Sequence, residues 1–240
     1  MAVLQVTTAH YPESDGKPMG ETDKHIRAIH RHYELLRRYF AGQDVYVSEN
    51  LLLYYEPGDQ KKFVVPDTFV VKGRKQYDRR VYKTWVERKA PDVVIEVTSR
   101  KTRKIDLTVK PALYERLGVK EYFIFDPDEE FLDPPLQGYR LSNVGYERIV
   151  PDENGFLISE ELGLRLHVQD ERVECYRLDT GERLLSQAEG EAAAEARAET
   201  EAQARAAAEV RAAAESVARQ AADAEVAKLR EELARLTSHR

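Results

Sequence analysis

Cysteine is almost absent from this chain of 240 residues. Cys175 stands alone, so no intramolecular disulfide can form and the framework of a small stapled domain is excluded. Long hydrophobic runs are also missing: no apolar stretch approaches the roughly 18 residues that span a bilayer. The opening Met-Ala-Val-Leu-Gln-Val-Thr-Thr lacks the basic start and apolar run of a secretory signal. These absences predict a soluble, cytoplasmic protein. Positive charge is short as well. Lys and Arg number 37 against 43 Asp and Glu, a net charge of -6. Such a chain cannot coat nucleic acid by bulk electrostatics, so any contact with phosphates must rest on local clusters.

The composition breaks near Ser186, where alanine, glutamate and arginine take over. Residues 1–185 are long enough for one α/β domain that buries about two-thirds of its unfolded surface. Residues 186–240 form a separate Ala/Glu/Arg-rich tail. In the first part, Ile26, Ile29, Tyr33, Leu36 and Phe40 recur at spacings of three and four, which predicts an amphipathic helix capped by Thr22 or Asp23. Val45 to Tyr55 and Phe63 to Val71 read as strands separated by the turn Glu56-Pro57-Gly58-Asp59. Asp92 to Thr98 is almost continuously β-branched, as suits a strand buried on both faces at the sheet centre. A helix from about Thr102 to Leu117, closed by Gly118, leads to a strand over Glu121 to Asp126, and this order implies a parallel pairing with a right-handed crossover. Beyond Pro134-Pro135, short alternating segments around Tyr139, Tyr146, Leu164 to Val168 and Val173 to Leu178 predict antiparallel hairpins.

The tail reads as one long helix, about 75 Å for roughly 50 residues. Val226, Leu229, Leu233 and Leu236 keep a three-four-three spacing, a short coiled-coil seam that predicts a homo-oligomer. Upstream, pairs such as Glu201 with Arg205 and Glu215 with Arg219 fit a solvated helix, so an isolated charged helix is the alternative.

Two acids break the apolar patterns. A period of two places Asp67 in the row of Val65, Phe69 and Val71, and Glu96 sits inside Val-Val-Ile-Glu-Val. A buried carboxylate without a partner is costly. Either acid alone reads best as paired with an arginine or bonded to backbone; together, on neighbouring strands, they suit Mg²⁺, which takes one or two carboxylates plus waters and phosphate oxygens. Asp92 lies about 13 Å along the strand from Glu96 and reads as structural.

Pro66-Asp67, Pro91-Asp92-Val-Val-Ile-Glu96-Val-Thr-Ser, Thr102, Asp106, Lys110, Tyr114, Gly118-Val119 and Glu121-Tyr122 together resemble the Uma family of restriction endonucleases, a branch of the PD-(D/E)XK nuclease superfamily. The phrases Tyr-Pro-Glu-Ser-Asp-Gly-Lys-Pro-Met and Pro-Pro-Leu-Gln-Gly-Tyr share the likeness, which covers about residues 11 to 142. The resemblance implies a restriction-endonuclease-like mixed sheet flanked by helices, here followed by C-terminal β-hairpins and the long helix. It implies cleavage of phosphodiester bonds in DNA with Mg²⁺ or Mn²⁺, the metal held by Asp67 and Glu96. The superfamily pattern places a lysine two residues after the second acid, where this chain has Thr98; the resemblance implies that Lys110, on the following helix, takes its place. Pro111 should make that helix start late or bend. Glu21 and His25 are secondary candidates for an outer ligand or base.

Eight basic residues between Lys72 and Lys89, then Arg100, Lys101, Arg103 and Lys104, flank the acids and predict a cationic groove for a phosphate backbone. Tyr77, Tyr82 and Trp85 within that run suit base stacking or simple packing. The competing reading of the whole is a catalytically inactive nuclease fold, kept as a nucleic-acid or protein binding module and oligomerised by its tail.

Overall fold

The computed structural model describes residues 11–14 and 21–237, apart from the side chains at 232, 234, 236 and 237. Residues 1–10, most of the Tyr-Pro-Glu-Ser-Asp-Gly-Lys-Pro-Met phrase and the Leu236 side chain lie outside that set. The chain divides into two units, Met1–Ser186 and Gln187–Arg240.

The first unit begins with helix α1 (Asp23–Tyr39), whose N-cap is Thr22; its side chain accepts a hydrogen bond from the His25 backbone N–H. The buried face of α1 carries His25, Ile29, His32, Leu35 and Leu36, while Ile26 is exposed. The inward stripe is therefore offset from the one that apolar spacing predicts, because two histidines occupy it. Strands β1 (Val45–Glu49) and β2 (Leu53–Tyr54) follow, separated at Asn50, which adopts a positive φ of 48°. One continuous strand was the expectation; Asn tolerates the left-handed conformation that breaks it. Strands β3 (Phe63–Val64) and β4 (Thr68–Lys72) are separate as well. The reason is Pro66, which has no N–H to offer a ladder.

Next come β5 (Tyr82–Lys83), the short helix α2 (Thr84–Glu87) and β6 (Val93–Val97). A π-helical turn at Ile105–Val109 runs into α3 (Lys110–Leu117), and Gly118 caps that helix at φ 78°. Pro111 falls in the first turn of α3, as the expected late start allows. Its missing N–H is absorbed by the π turn, in which the Lys110 N–H bonds back to the Ile105 carbonyl. Strand β7 (Glu121–Phe125) pairs parallel to β6. The hairpin β8 (Leu136–Ser142) and β9 (Gly145–Arg148) then extends the same sheet. Strands β10 (Leu157–Ser159), β11 (Leu164–Gln169) and β12 (Arg172–Arg177) make a further antiparallel sheet.

The central sheet has the order β1-β4-β6-β7-β8-β9, mixed in direction and centred on β6 and β7. Alternation divides its side chains between two apolar layers. Val93, Ile95 and Val97 pack with Ile29, Leu35 and Leu36 of α1 and with Leu164, Leu166 and Val173 of the three-stranded sheet. Val94, Tyr122 and Ile124 pack on the opposite side with Tyr114 of α3 and with Leu53 and Tyr82. The second unit is helix α4 (Gln187–Thr237), a 51-residue helix on which Val226, Leu229 and Leu233 are exposed. No helix among the described residues is long and apolar enough to cross a membrane.

His32 is buried in the first layer, edge-on to Phe125, and its Nδ1 has no hydrogen-bond partner among the described residues. Burial, with the neighbouring Arg31 charge, pushes its pKa from 6.5 down to about 4. Above pH 6.5 the ring is neutral in both states and costs nothing. Between pH 6.5 and 4 the unfolded chain binds a proton that the folded chain refuses, so stability falls with pH through that window. The His32→Leu variant should lose about 2–3 kcal/mol less than the parent between pH 7 and pH 4.5 in urea denaturation. Parallel losses in the two proteins would contradict this account.

Candidate active site

Asp67 stands at the point where the β4 ladder ends. In the register that pairs Thr68 with Ile95, it faces Glu96, but it lies just outside the strand rather than within its apolar row. Its carboxylate replaces the next ladder partner: Oδ2 accepts from the Val97 backbone N–H at 2.7 Å, while the Asp67 N–H donates to Glu96 Oε2 at 3.2 Å. Glu96 is fully buried on β6. It turns toward α3, where Tyr114 Oη donates to Oε1 at 2.6 Å and Lys110 Nζ meets Oε2 at 2.8 Å. The structure thus brings Asp67, Glu96 and Lys110 together from three chain segments.

Asp106 completes the cluster, a role that the strand-centred reading of the acids did not assign to it. It is buried, its Oδ1 lies 2.9 Å from Lys110 Nζ, and Thr98 Oγ1 donates to its Oδ2 at 3.2 Å. The available signal was the spacing 106, 110, 114, which puts all three side chains on one helical face. Tyr114 and Tyr122 belong to the same surroundings, Tyr122 donating to the Asp106 carbonyl at 2.7 Å.

Electrostatics follow from this crowding. Burial pushes the Asp67 carboxyl upward against the pull of Lys110 and of its hydrogen bonds with Val97 and Glu96. Burial likewise raises Glu96, with Lys110 opposing and the neighbouring acids adding to the rise. For Lys110 burial alone would lower the pKa, but Glu96, Asp67 and Asp106 outweigh it and hold the ammonium charged. Three carboxylates around one ammonium leave an excess of negative potential, and a divalent cation beside Asp67 and Glu96 would relieve it. Among the described residues no group of three or more His, Cys, Asp or Glu forms a ready metal cage. Two carboxylates suit Mg²⁺, which keeps several waters; Asp67 is half-buried, while Glu96 is fully buried with Tyr114, Lys110 and the Asp67 N–H on its oxygens.

Asp67 and Lys110 open onto a cavity of about 730 Å³, whose walls include His25, Asn50, Val97 and Lys101. His25 is buried there with its Nδ1 unpartnered among the described residues, and burial lowers its pKa, chiefly against the pull of Glu21, which lines the same cavity. Asp92 stays away from this centre: it binds Lys89 at 2.9 Å, Lys120 at 3.0 Å and the Lys72 N–H at 2.7 Å.

The basic run after β4 differs from the open groove expected of it. Arg74 and Arg79 bond to Glu87, Arg79 also stacks on Tyr46 and Tyr77, Arg80 pairs with Glu13, and Lys72 pairs with Glu161. Lys89 is held by Asp92 and Lys83 lies over Tyr11. Tyr82 is buried and Trp85 packs on Tyr11, so neither is a free stacking platform. These loops fold onto themselves because Glu87 and the local aromatics are nearer partners than solvent.

A family model, Uma2, described as "Putative restriction endonuclease", matches residues 9–208. The chain belongs to the Uma2 family. The match takes in the whole acid cluster and the start of α4. Among solved structures, the Uma2 chain is similar to one described as "a putative nuclease belonging to DUF820" from Anabaena variabilis. The identity is 19%, over 61% of this chain and 76% of that one, with a TM-score of 0.45. No curated protein matches.

Tyr114 supplies one of the few donors available to the buried Glu96. Tyr114→Phe should therefore lower stability by about 1–3 kcal/mol, with an unchanged urea m-value. An unaltered denaturation midpoint would mean that the Tyr114 hydroxyl contributes nothing to holding Glu96.

Proposed function

We propose that this protein is a metal-dependent endonuclease that hydrolyses phosphodiester bonds in DNA, using Asp67 and Glu96 as ligands for Mg²⁺ or Mn²⁺ and Lys110 as the catalytic cation. The observation that carries this reading is the meeting of two mutually stressed carboxylates and one clamped ammonium, with Asp67 and Lys110 at the wall of an open cavity and Glu96 buried behind them. Membership of the Uma2 family supports the nuclease class.

A bound divalent ion would supply Lewis-acid polarisation of a phosphate oxygen and a more acidic water. The chain's own residues account for the rest. Asp67 and Glu96 present oxygens at the end of β4 and on β6. Tyr114 and the Asp67 N–H fix the orientation of Glu96, so those oxygens need little reorganisation. Lys110, already charged and immobilised, stabilises negative charge developing on the phosphoryl group or orients the attacking water. No covalent intermediate on the protein is required.

The 186–240 segment is proposed as an oligomerisation helix, since Val226, Leu229 and Leu233 expose an apolar seam that a second copy would cover. The single, buried cysteine fits a reducing cytoplasmic compartment.

Purified full-length protein should cleave plasmid DNA with Mg²⁺ or Mn²⁺ and stop when the metal is chelated. Asp67→Ala and Glu96→Ala should each reduce the rate at least about 100-fold, and Lys110→Ala by a similar factor, with the fold retained by circular dichroism. Equal cleavage by parent and variants would assign the activity to a contaminant. Light scattering on the full chain should give at least twice the 27.6 kDa protomer mass, reverting to one protomer in Leu229→Glu/Leu233→Glu. A single-protomer mass for the parent would refute the seam.

A further inference from the structure

The amine at the acid pair comes from a helix, and a lysine side chain is a poor tool unless something restrains it. Its four-carbon stem has many rotamers, and an ammonium has no fixed bonding plane. Glu96 meets Lys110 Nζ from the sheet. The second contact is Asp106, one helical turn earlier.

Asp106 is itself held by both its side chain and its main chain. Thr98, two residues after Glu96 and fully buried, donates its hydroxyl to Oδ2. The main-chain restraint arises from the π turn. In an ordinary α-helix the Asp106 carbonyl would accept from the Lys110 N–H, but that N–H goes to the Ile105 carbonyl. The next residue on is Pro111, which has no N–H. The Asp106 carbonyl would be left without a helical partner, and Tyr122 Oη on β7 donates to it at 2.7 Å. Two groups from neighbouring parts of the sheet, Thr98 after β6 and Tyr122 on β7, thus pin one residue of the π turn. That residue in turn grips the ammonium.

We infer that Asp106 is a positioning residue, held by Thr98 and Tyr122, that fixes the Lys110 ammonium beside Asp67 and Glu96. Its effect on catalysis rests on the nuclease reading above; its hold on Lys110 does not.

The test separates the two. Full-length protein is treated with an N-hydroxysuccinimide acetyl ester without added metal, and acetylation is read by mass spectrometry at Lys110, with exposed Lys101 and Lys104 as references. Asp106→Asn, which keeps the shape and removes the charge, should raise the Lys110 rate about fivefold or more, because an ammonium released from its ion pair with Asp106 becomes more accessible to the reagent. Thr98→Val should raise it by a smaller factor, and it provides the test should Asp106→Asn fail to fold. The reference lysines should not change.

In the cleavage assay, Asp106→Asn should lower kcat about tenfold with KM little altered, as expected when a reacting group is misplaced rather than binding lost, and Asp106→Glu should recover part of the loss. Unchanged Lys110 acetylation in folded Asp106→Asn and Thr98→Val would overturn the inference. So would released Lys110 with undiminished kcat. A parent protein that cleaves nothing, while Asp106→Asn still exposes Lys110, would sink the nuclease reading and leave the anchoring role intact.

Discussion

The Lys110 ammonium is the centre around which the middle of this protein is arranged. It reaches Glu96 on the central strand and Asp106 on its own helix, and its charge also acts on Asp67 at the end of the neighbouring strand. Remove that charge and three acids are left crowded in a largely dry space, where each disfavours ionisation of the others. A buried ion pair gains little over a well-packed apolar replacement. The fold has no evident need of it, since two apolar layers already sandwich the sheet. The nuclease reading proposed above would give the cluster a chemical role.

Asp92 is as buried as Asp106, and burial works against its charge, yet Lys89, Lys120 and the Lys72 N–H hold its carboxyl below the usual range. Glu121 is similarly satisfied by Arg140, by Ser159 and by the Glu160 N–H, which tie the hairpin region to β7. These acids are compensated and their role is mechanical. Asp67 and Glu96, by contrast, are pushed upward by burial beside one shared ammonium, the condition in which added positive charge is most welcome.

Much of the fold was legible in the chain. The β-branched run at β6, the helix to Gly118 and the strand Glu121–Phe125 each follow from local patterns, as does the break in composition near Ser186. Where the reading failed, a single residue was usually responsible. Asn50 and Pro66 divide two expected strands, sending Leu53–Tyr54 and Phe63–Val64 to a separate small sheet. His25 and His32 shift the buried stripe of α1. Pattern counting treats such residues as breakers or polar noise, and what they do depends on what lies across from them.

By itself the sequence determined that Asp67 and Glu96 are anomalies, because a carboxylate at the edge of or within an apolar strand needs a partner wherever the strand goes. The spacing of residues 106, 110 and 114 also held the sign of a shared helical face, a local property of a helix, though no role for Asp106 was read from it. Only the tertiary structure decided that this face meets the acid pair, that Thr98 holds Asp106, and that the basic loop after β4 is occupied with its own acids and rings. These outcomes turn on which segments pack against one another, and contacts between residues far apart in the chain leave no periodic mark in it.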